Sequence, residues 1–394
     1  MIPLMNLTRQ YETISDELNM AVIDVLKSGQ YIMGEAVEKF EKSFAAYVGT
    51  KYAISVGNGT DALSIALKAS GIEPGDEVIT CTMSFFSTAE IIAMNGAVPV
   101  FVDCKRDNGL IDTTEIEKKI TEKTKAIIPI HLYGQCAEMV EILQIAQKYN
   151  LSVIEDAAQA AGACYHGKKA GSLGNLGCFS FFPTKNLGCA GDGGIITTND
   201  EDLYRKCKAY RAHGSGTDGY YTYCKNNGLD NMEKVDFGKN QPKYYNYVVG
   251  QNSRLDALQA TILQVKLPYL ESWNDVRRKI ASRYDNEIQN PAIQLLKIES
   301  NCLPIYYVYV VIVTNREHFM EYLKQKDITT GTYYPIPLHL QKAFENCNYQ
   351  KGDMPNAEYL AEHGVAIPMF AELTQEEINY IIDVINGYKG EKLL

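Results

Sequence analysis

The chain has 394 residues, 46% of them hydrophobic, and a formal charge of -10. That length supports a large buried core and more than one domain, while the acidic balance argues against nucleic acid or an anionic membrane as partner. Residues 1–6 hold no basic stretch leading into an apolar run, and no segment is long enough to span a bilayer, so neither a signal peptide nor an anchor is expected and the expected compartment is the cytoplasm.

From residue 50 to 200, short apolar runs alternate with helical patterns. Strands are predicted over 52–56, 77–80, 98–102, 125–130 and 151–155, and helices over 61–69, 87–95, 114–120 and 139–149. Continuous β-branched runs separated by helices predict parallel strands covered on both faces, hence an α/β sheet. Residues 178–182 read as one more buried strand, stopped by Pro183. Residues 215–247 are rich in Tyr, Asn, Gly and Lys, lack periodicity and read as a long loop. A long helical pattern over 253–288 follows, broken at Pro268. A strand over 306–313 and helices over 316–326 and 376–388 then suggest a smaller α+β domain, its boundary near 265–290. The ten cysteines include no C-x-x-C pair. They suggest neither zinc nor a disulfide framework, and no metal site is expected.

Three features carry chemistry. Gly57-Asn58-Gly59-Thr60-Asp61-Ala62 follows a strand and opens a helix, where backbone N–H groups and the helix dipole can hold a phosphate. The spacing also fits a dinucleotide fingerprint, but Asp76 and Glu77 precede the next strand rather than end it, which weakens a nicotinamide reading. A plain glycine turn remains the simpler alternative. Asp156 falls at the carboxyl end of a strand, where ligands bind in such sheets. It could keep an aromatic nitrogen protonated or simply cap a helix. Lys185 follows the apolar run 178–182. A lysine held away from water loses proton affinity and can act as a nucleophile or base, although a strand-end lysine can also extend its amine into solvent. Together the three supply what pyridoxal 5'-phosphate (PLP) requires: an anchor, a pyridinium partner and a Schiff-base lysine.

These stretches resemble the DegT/DnrJ/EryC1/StrS aminotransferases, PLP enzymes that act on nucleotide-linked keto-sugars. The resemblance runs through residues 57–63, 74–79, 131–135, 155–159, 180–185 and 252–260, and covers nearly the whole chain. It implies an α/β chain of aminotransferase fold type I, with a mostly parallel central sheet flanked by helices. Residues 1–270 would form the large PLP-binding domain and 271–394 the small α+β domain, with the N-terminal segment packing on the latter. Lys185 would carry the cofactor and later move a proton, Asp156 would pair with the ring nitrogen, and Gln159 would approach the ring hydroxyl. Gly59, Thr60 and Ser180 would hold the phosphate. Phe85 would stack on the ring, unless it is an ordinary core side chain. Asn252 would reach the phosphate of a neighbouring subunit, implying a homodimer with shared sites, unless it only caps the next helix beside Ser253.

The implied reaction moves an amino group from glutamate, leaving 2-oxoglutarate, through the PLP and pyridoxamine phosphate (PMP) forms to a keto-sugar linked to UDP or dTDP. Lys185 argues against related sugar dehydratases, which resemble these enzymes but have histidine there. The turn 57–63, with Gly191-Asp192-Gly193-Gly194 and Arg211-Ala212-His213-Gly214, is most like members that aminate C3 of a 3-keto sugar. Amination at C4 of a 4-keto sugar and a non-catalytic PLP-binding regulator are the alternatives. Two departures stand out: Tyr333 replaces the histidine usual before Tyr-Pro, and the loop 215–247 is longer than usual. Its tyrosines would contact sugar or nucleotide, or decorate the surface.

Overall fold

The computed structural model describes residues 1–229 and 244–392. Val- and Ile-rich runs form β1 (Tyr52–Val56), β2 (Glu77–Cys81), β3 (Val98–Val102), β4 (Thr124–Ile128) and β5 (Ser152–Asp156). Two short strands, β6 (Cys164–Tyr165) and β7 (Lys168–Lys169), precede β8 (Leu176–Ser180) and β9 (Gly194–Thr198). Seven of these make one sheet in the order β1-β9-β8-β5-β4-β2-β3. Its pairs are parallel except around β9, which runs antiparallel to both β1 and β8. The other six strands therefore share one direction, and the sheet is mostly parallel, as expected.

Alternation along each strand sorts its side chains into two cores. Ile79, Ile127, Val153, Phe179 and Ile195 face one cluster, and Val78, Ala126, Ile154, Cys178 and Ile196 face the other. Helix α1 (Leu7–Ser28) precedes α2 (Glu35–Val48), whose Val37, Phe40 and Phe44 enter the first cluster. Helix α3 (Gly59–Ala69) covers the opposite face with Leu63, Ile65 and Ala66. With both faces covered, only the strand ends are left to form a crevice.

Further along, β10 (Ile293–Leu295), β12 (Tyr309–Val313) and β13 (Gly364–Ile367) form an antiparallel sheet, ordered β10-β12-β13. Between them β11 (Cys302–Leu303) pairs with β6. The helices Leu270–Glu287, Arg316–Gln325 and Gln375–Asn386 close a second core over that sheet. Ile2 joins this core; its N–H donates to the Asp327 carbonyl at 2.6 Å and its carbonyl accepts from Thr329 at 2.9 Å. Among the described residues, no helix is long and apolar enough to cross a membrane.

Several expectations are corrected. The predicted loop 215–247 contains a helix, Gly216–Asn226, packed on the helix Glu201–Arg211. Its buried face is Tyr221, Thr222 and Cys224 rather than Leu or Ile, so the periodicity is faint. Residues 230–243 of that loop lie outside the described residues. The helix predicted over 114–120 is one turn, Thr113–Ile116, continued by the 3₁₀ turn Glu117–Lys119. The strand predicted through 182 ends at Ser180, and Phe182 is exposed. The long pattern 253–288 is two helices, Ala257–Lys266 and Leu270–Glu287, separated at Pro268 by a 3₁₀ turn.

Phe44 lies at the centre of the first core and meets Phe179 and Phe181 edge-on at 5.1 and 5.3 Å between ring centroids. Phe44→Ala is expected to cost about 3–5 kcal/mol, read as a fall in the urea unfolding midpoint. An unchanged midpoint would contradict this packing.

Candidate active site

A cavity of about 560 Å³ opens at the carboxyl ends of β5 and β8, beside the N-terminus of α3. Gly59, Thr60, Phe85, Asp156, Gln159, Ser180 and Lys185 all line it. Asn252 does not; it is exposed, and its backbone pairs with Ala212. The neighbouring Ser253 does reach the α3 turn, where its hydroxyl accepts from the Gly57 N–H at 2.9 Å. A second hollow, beneath Tyr306 and Asp285, holds only about 30 Å³, little more than one water.

The segment carrying Lys185 is fixed at both ends. Past Ser180 the chain leaves the sheet, with the Phe181 N–H donating to the Gly193 carbonyl at 2.7 Å and the Cys189 N–H to the Phe181 carbonyl at 2.8 Å. Within that clasp the Lys185 N–H closes a turn onto the Phe182 carbonyl at 2.9 Å. Gly188 permits the clasp, because a Cβ there would lie 2.4 Å from the Pro183 carbonyl oxygen. The Lys185 side chain is half-buried and lines the cavity, with protein crowded around its amine. Burial pulls its pKa down to about 8, against the opposing pull of the Asp156 carboxylate.

Asp156 ends β5 and is itself held. Thr88 donates its hydroxyl to one carboxylate oxygen at 2.7 Å, and the Ala158 N–H donates to the other at 3.2 Å. The preceding residue, Glu155, points to the other face of the sheet. It accepts N–H bonds from Gly171, Leu173 and Gly174 and meets the buried His131 ring at 2.8 Å. The two adjacent carboxylates thus have different tasks: Glu155 ties down a loop, while Asp156 presents charge to the cavity.

Gln159 is clamped. Its side-chain carbonyl accepts from the Tyr133 N–H and its amide donates to the Tyr334 hydroxyl, both at 2.8 Å. Tyr133 has φ 59°, in the left-handed region, and does more than hold Gln159. Its carbonyl accepts from the Tyr307 N–H at 3.0 Å, and its hydroxyl donates to the Tyr333 carbonyl. Phe85 is exposed at the cavity rim, its ring centroid 6.0 Å from that of Tyr334.

The α3 terminus suits an anion. Asn58 caps it, accepting from the Asp61 N–H at 2.8 Å, and the Ala62 N–H goes to the Asn58 carbonyl. The first-turn N–H groups of Gly59 and Thr60 have no such acceptor among the described residues, and Ser180 adds a hydroxyl beside them. Gly59 has to be glycine, since a Cβ would lie 2.7 Å from that of Ser180. An anion cradle, a held carboxylate and an amine of lowered proton affinity around one cavity fit the phosphate, ring nitrogen and aldehyde of PLP.

Thr88, Tyr307 and Tyr334 also belong to the site, though no local signal in the sequence marks them for it. Thr88 and Tyr334 lie in stretches noted for other reasons, and only the fold brings Tyr307 to the lysine. None of the tyrosines between 215 and 247 lines the cavity. Tyr221 instead packs under Arg205 at 3.8 Å and donates to Asp202 at 2.9 Å.

The pattern of the DegT/DnrJ/EryC1/StrS aminotransferase family matches residues 12–386. A protein of Geobacillus stearothermophilus named pleiotropic regulatory protein is 43% identical, over 98% of this chain and 97% of that protein. The dTDP-3-amino-3,6-dideoxy-alpha-D-galactopyranose transaminase of Aneurinibacillus thermoaerophilus is 41% identical, over 98% of this chain and 99% of that enzyme. Among solved structures, S. venezuelae DesV in complex with a ketimine intermediate superposes with a TM-score of 0.90 at 34% identity, covering 98% of both chains.

The depressed proton affinity of Lys185 gives a direct test. Above its pKa the amine carries a free lone pair, so its reactivity rises as pH passes about 8. In the cofactor-free chain, reductive methylation followed by mass spectrometry should reach half its maximal rate at Lys185 near that pH, against ~10.4 for surface lysines. A Lys185 midpoint equal to theirs would contradict the burial.

Proposed function

The chain belongs to the DegT/DnrJ/EryC1/StrS aminotransferase family, and from that premise we propose that it aminates C3 of a nucleotide-linked 3-keto sugar, with glutamate as amino donor. It is a PLP-dependent aminotransferase. The observation that carries the reading is the Lys185 amine, its proton affinity lowered by burial, in one cavity with the held Asp156 carboxylate. Support for C3 comes from the turn 57–63 and from the Aneurinibacillus relative, whose name specifies a 3-amino sugar.

When bound, PLP supplies an electron sink that stabilises negative charge on the carbon losing its proton. The chain's residues do the rest. Thr88 and the Ala158 N–H fix the Asp156 carboxylate so that it can hold a proton on the ring nitrogen. Lys185 would be the attachment point. As a free amine of lowered proton affinity, Lys185 would be suited to taking a proton from the donor carbon and returning it to the neighbouring carbon. Gly59, Thr60 and Ser180 would take the phosphate, and Phe85, at the rim, would cover the ring. Gln159, clamped by Tyr133 and Tyr334, would meet the ring hydroxyl.

Asn252, exposed on the α3-turn side of the chain, would serve the cavity of a second copy, which makes the active form a homodimer. The Geobacillus relative's name raises a regulatory role; here the amine, carboxylate and anion cradle that such a role does not need are all present.

Lys185→Ala is expected to abolish the yellow colour of the bound cofactor and lower the transamination rate by ~10³-fold or more. Gly59→Ala, which drives a methyl group into Ser180, should weaken PLP binding by about 10-fold or more in an equilibrium titration, roughly the loss of one charge-assisted hydrogen bond. For the substrate, the chain is incubated with glutamate and a panel of 3-keto and 4-keto UDP- and dTDP-sugars, and the products are located by NMR. A new amine at C3 with release of 2-oxoglutarate is expected. An amine at C4, or no product from any 3-keto sugar, would overturn the proposal.

A further inference from the structure

Tyr307 touches the reacting lysine, yet the chemistry above gives it no task. We propose that Tyr307 is a positioning residue: its ring face holds the Lys185 amine and helps to set the pH at which that amine gives up its proton. The proposal rests on the reading of Lys185 as the reacting amine.

The Lys185 Nζ lies 4.1 Å from the Tyr307 ring centroid, inside the range in which an aromatic face attracts an ammonium. The ring is buried and fixed on several sides. Its backbone N–H donates to the Tyr133 carbonyl, and the Ile305 N–H donates to the Gly134 carbonyl at 2.9 Å. That approach requires glycine at 134: its φ is 92°, and a Cβ would lie 2.9 Å from the Tyr307 nitrogen. The Tyr307 hydroxyl lies 3.4 Å from that of Thr184, the residue before the lysine. The Tyr333 ring meets Tyr307 edge-on, with centroids 6.2 Å apart. The ring therefore has little freedom to turn its face away.

The other groups around the amine define what the ring adds. Asp156 reaches it from β5, and Asp61, Asp192, Tyr333 and Tyr334 line the same cavity. Burial favours the neutral amine, whereas Asp156 favours the ammonium. A second carboxylate against Nζ would hold the proton too firmly and mask the lone pair. An uncharged ring attracts the ammonium weakly and releases it readily. It also fixes Nζ without taking up its lone pair.

The test uses the full-length chain stripped of cofactor, with the growth of the visible band on adding PLP followed as a function of pH. The wild-type rate should rise to half its maximum near pH 8. Tyr307→Phe keeps the face and should leave that midpoint within ~0.2 units, whereas Tyr307→Leu removes the face and should lower it by ~0.5 units or more. Fluorinated phenylalanines at 307 provide a series close in size to Phe should the leucine variant fold poorly. Across it the midpoint should fall stepwise as the ring loses its negative face. A midpoint insensitive to fluorination, or Tyr307→Phe shifting as far as Tyr307→Leu, would overturn the proposal while leaving the aminotransferase reading intact. A wild-type chain that forms no band would overturn both.

Discussion

Removing an ammonium group from water is among the costliest changes a folded chain can make to a side chain, and much of this site is organised around one such group. The half-buried Lys185 amine is crowded by protein, so it either gives up its proton readily or needs compensation nearby. Asp156 supplies part of that compensation, but a buried carboxylate needs partners of its own. Thr88 and the Ala158 N–H provide them. Each group in the site is thus tolerable only because of the next, and the sequence ends at neutral hydroxyls and backbone amides, which are cheap to bury when hydrogen-bonded.

The sheet makes this arrangement possible. Six strands run the same way, so their carboxyl ends lie along one side of the sheet, and β5 and β8 are adjacent there. The reversal at β9 matters as much. Because β9 returns alongside β8, the segment 181–193 leaves the sheet and re-enters it at the same edge of the crevice. A parallel connection would have carried the chain across a face of the sheet, away from Asp156.

What could be read from the residues followed from how local the signals are. The first five strands and their helices have their own periodicity, so positions such as 52–56 and 139–149 were legible directly. Glycines 57 and 59, Asp156 and Lys185 were legible because their chemistry is unusual for their local settings. β9 was not, since Ile195 and Ile196 form a run too short to stand out and its reversed direction is decided by partners on both sides. The helix Gly216–Asn226 was hidden by its composition: tyrosine, threonine and cysteine form its buried face. Tyr307 and Tyr334 were beyond reach for another reason. They come to Lys185 and Gln159 across more than a hundred residues, through contacts such as Tyr307 to Tyr133 that no short window contains.

Tyr133 concentrates these contacts. Its amide holds Gln159, its carbonyl holds the segment bearing Tyr307, just ahead of β12, and its hydroxyl reaches the Tyr333 carbonyl, all from a left-handed backbone. This junction limits how the site can change over generations. A residue at 133 that cannot hold the left-handed backbone would move the N–H bond to Gln159, the carbonyl bond to Tyr307 and the hydroxyl bond to the Tyr333 carbonyl at once, so no single second change would restore all three. Divergence of the pocket is then constrained to routes that leave this junction alone. Positions at the rim, such as Phe85, can vary one at a time, whereas the residues meeting at Tyr133 would have to change together.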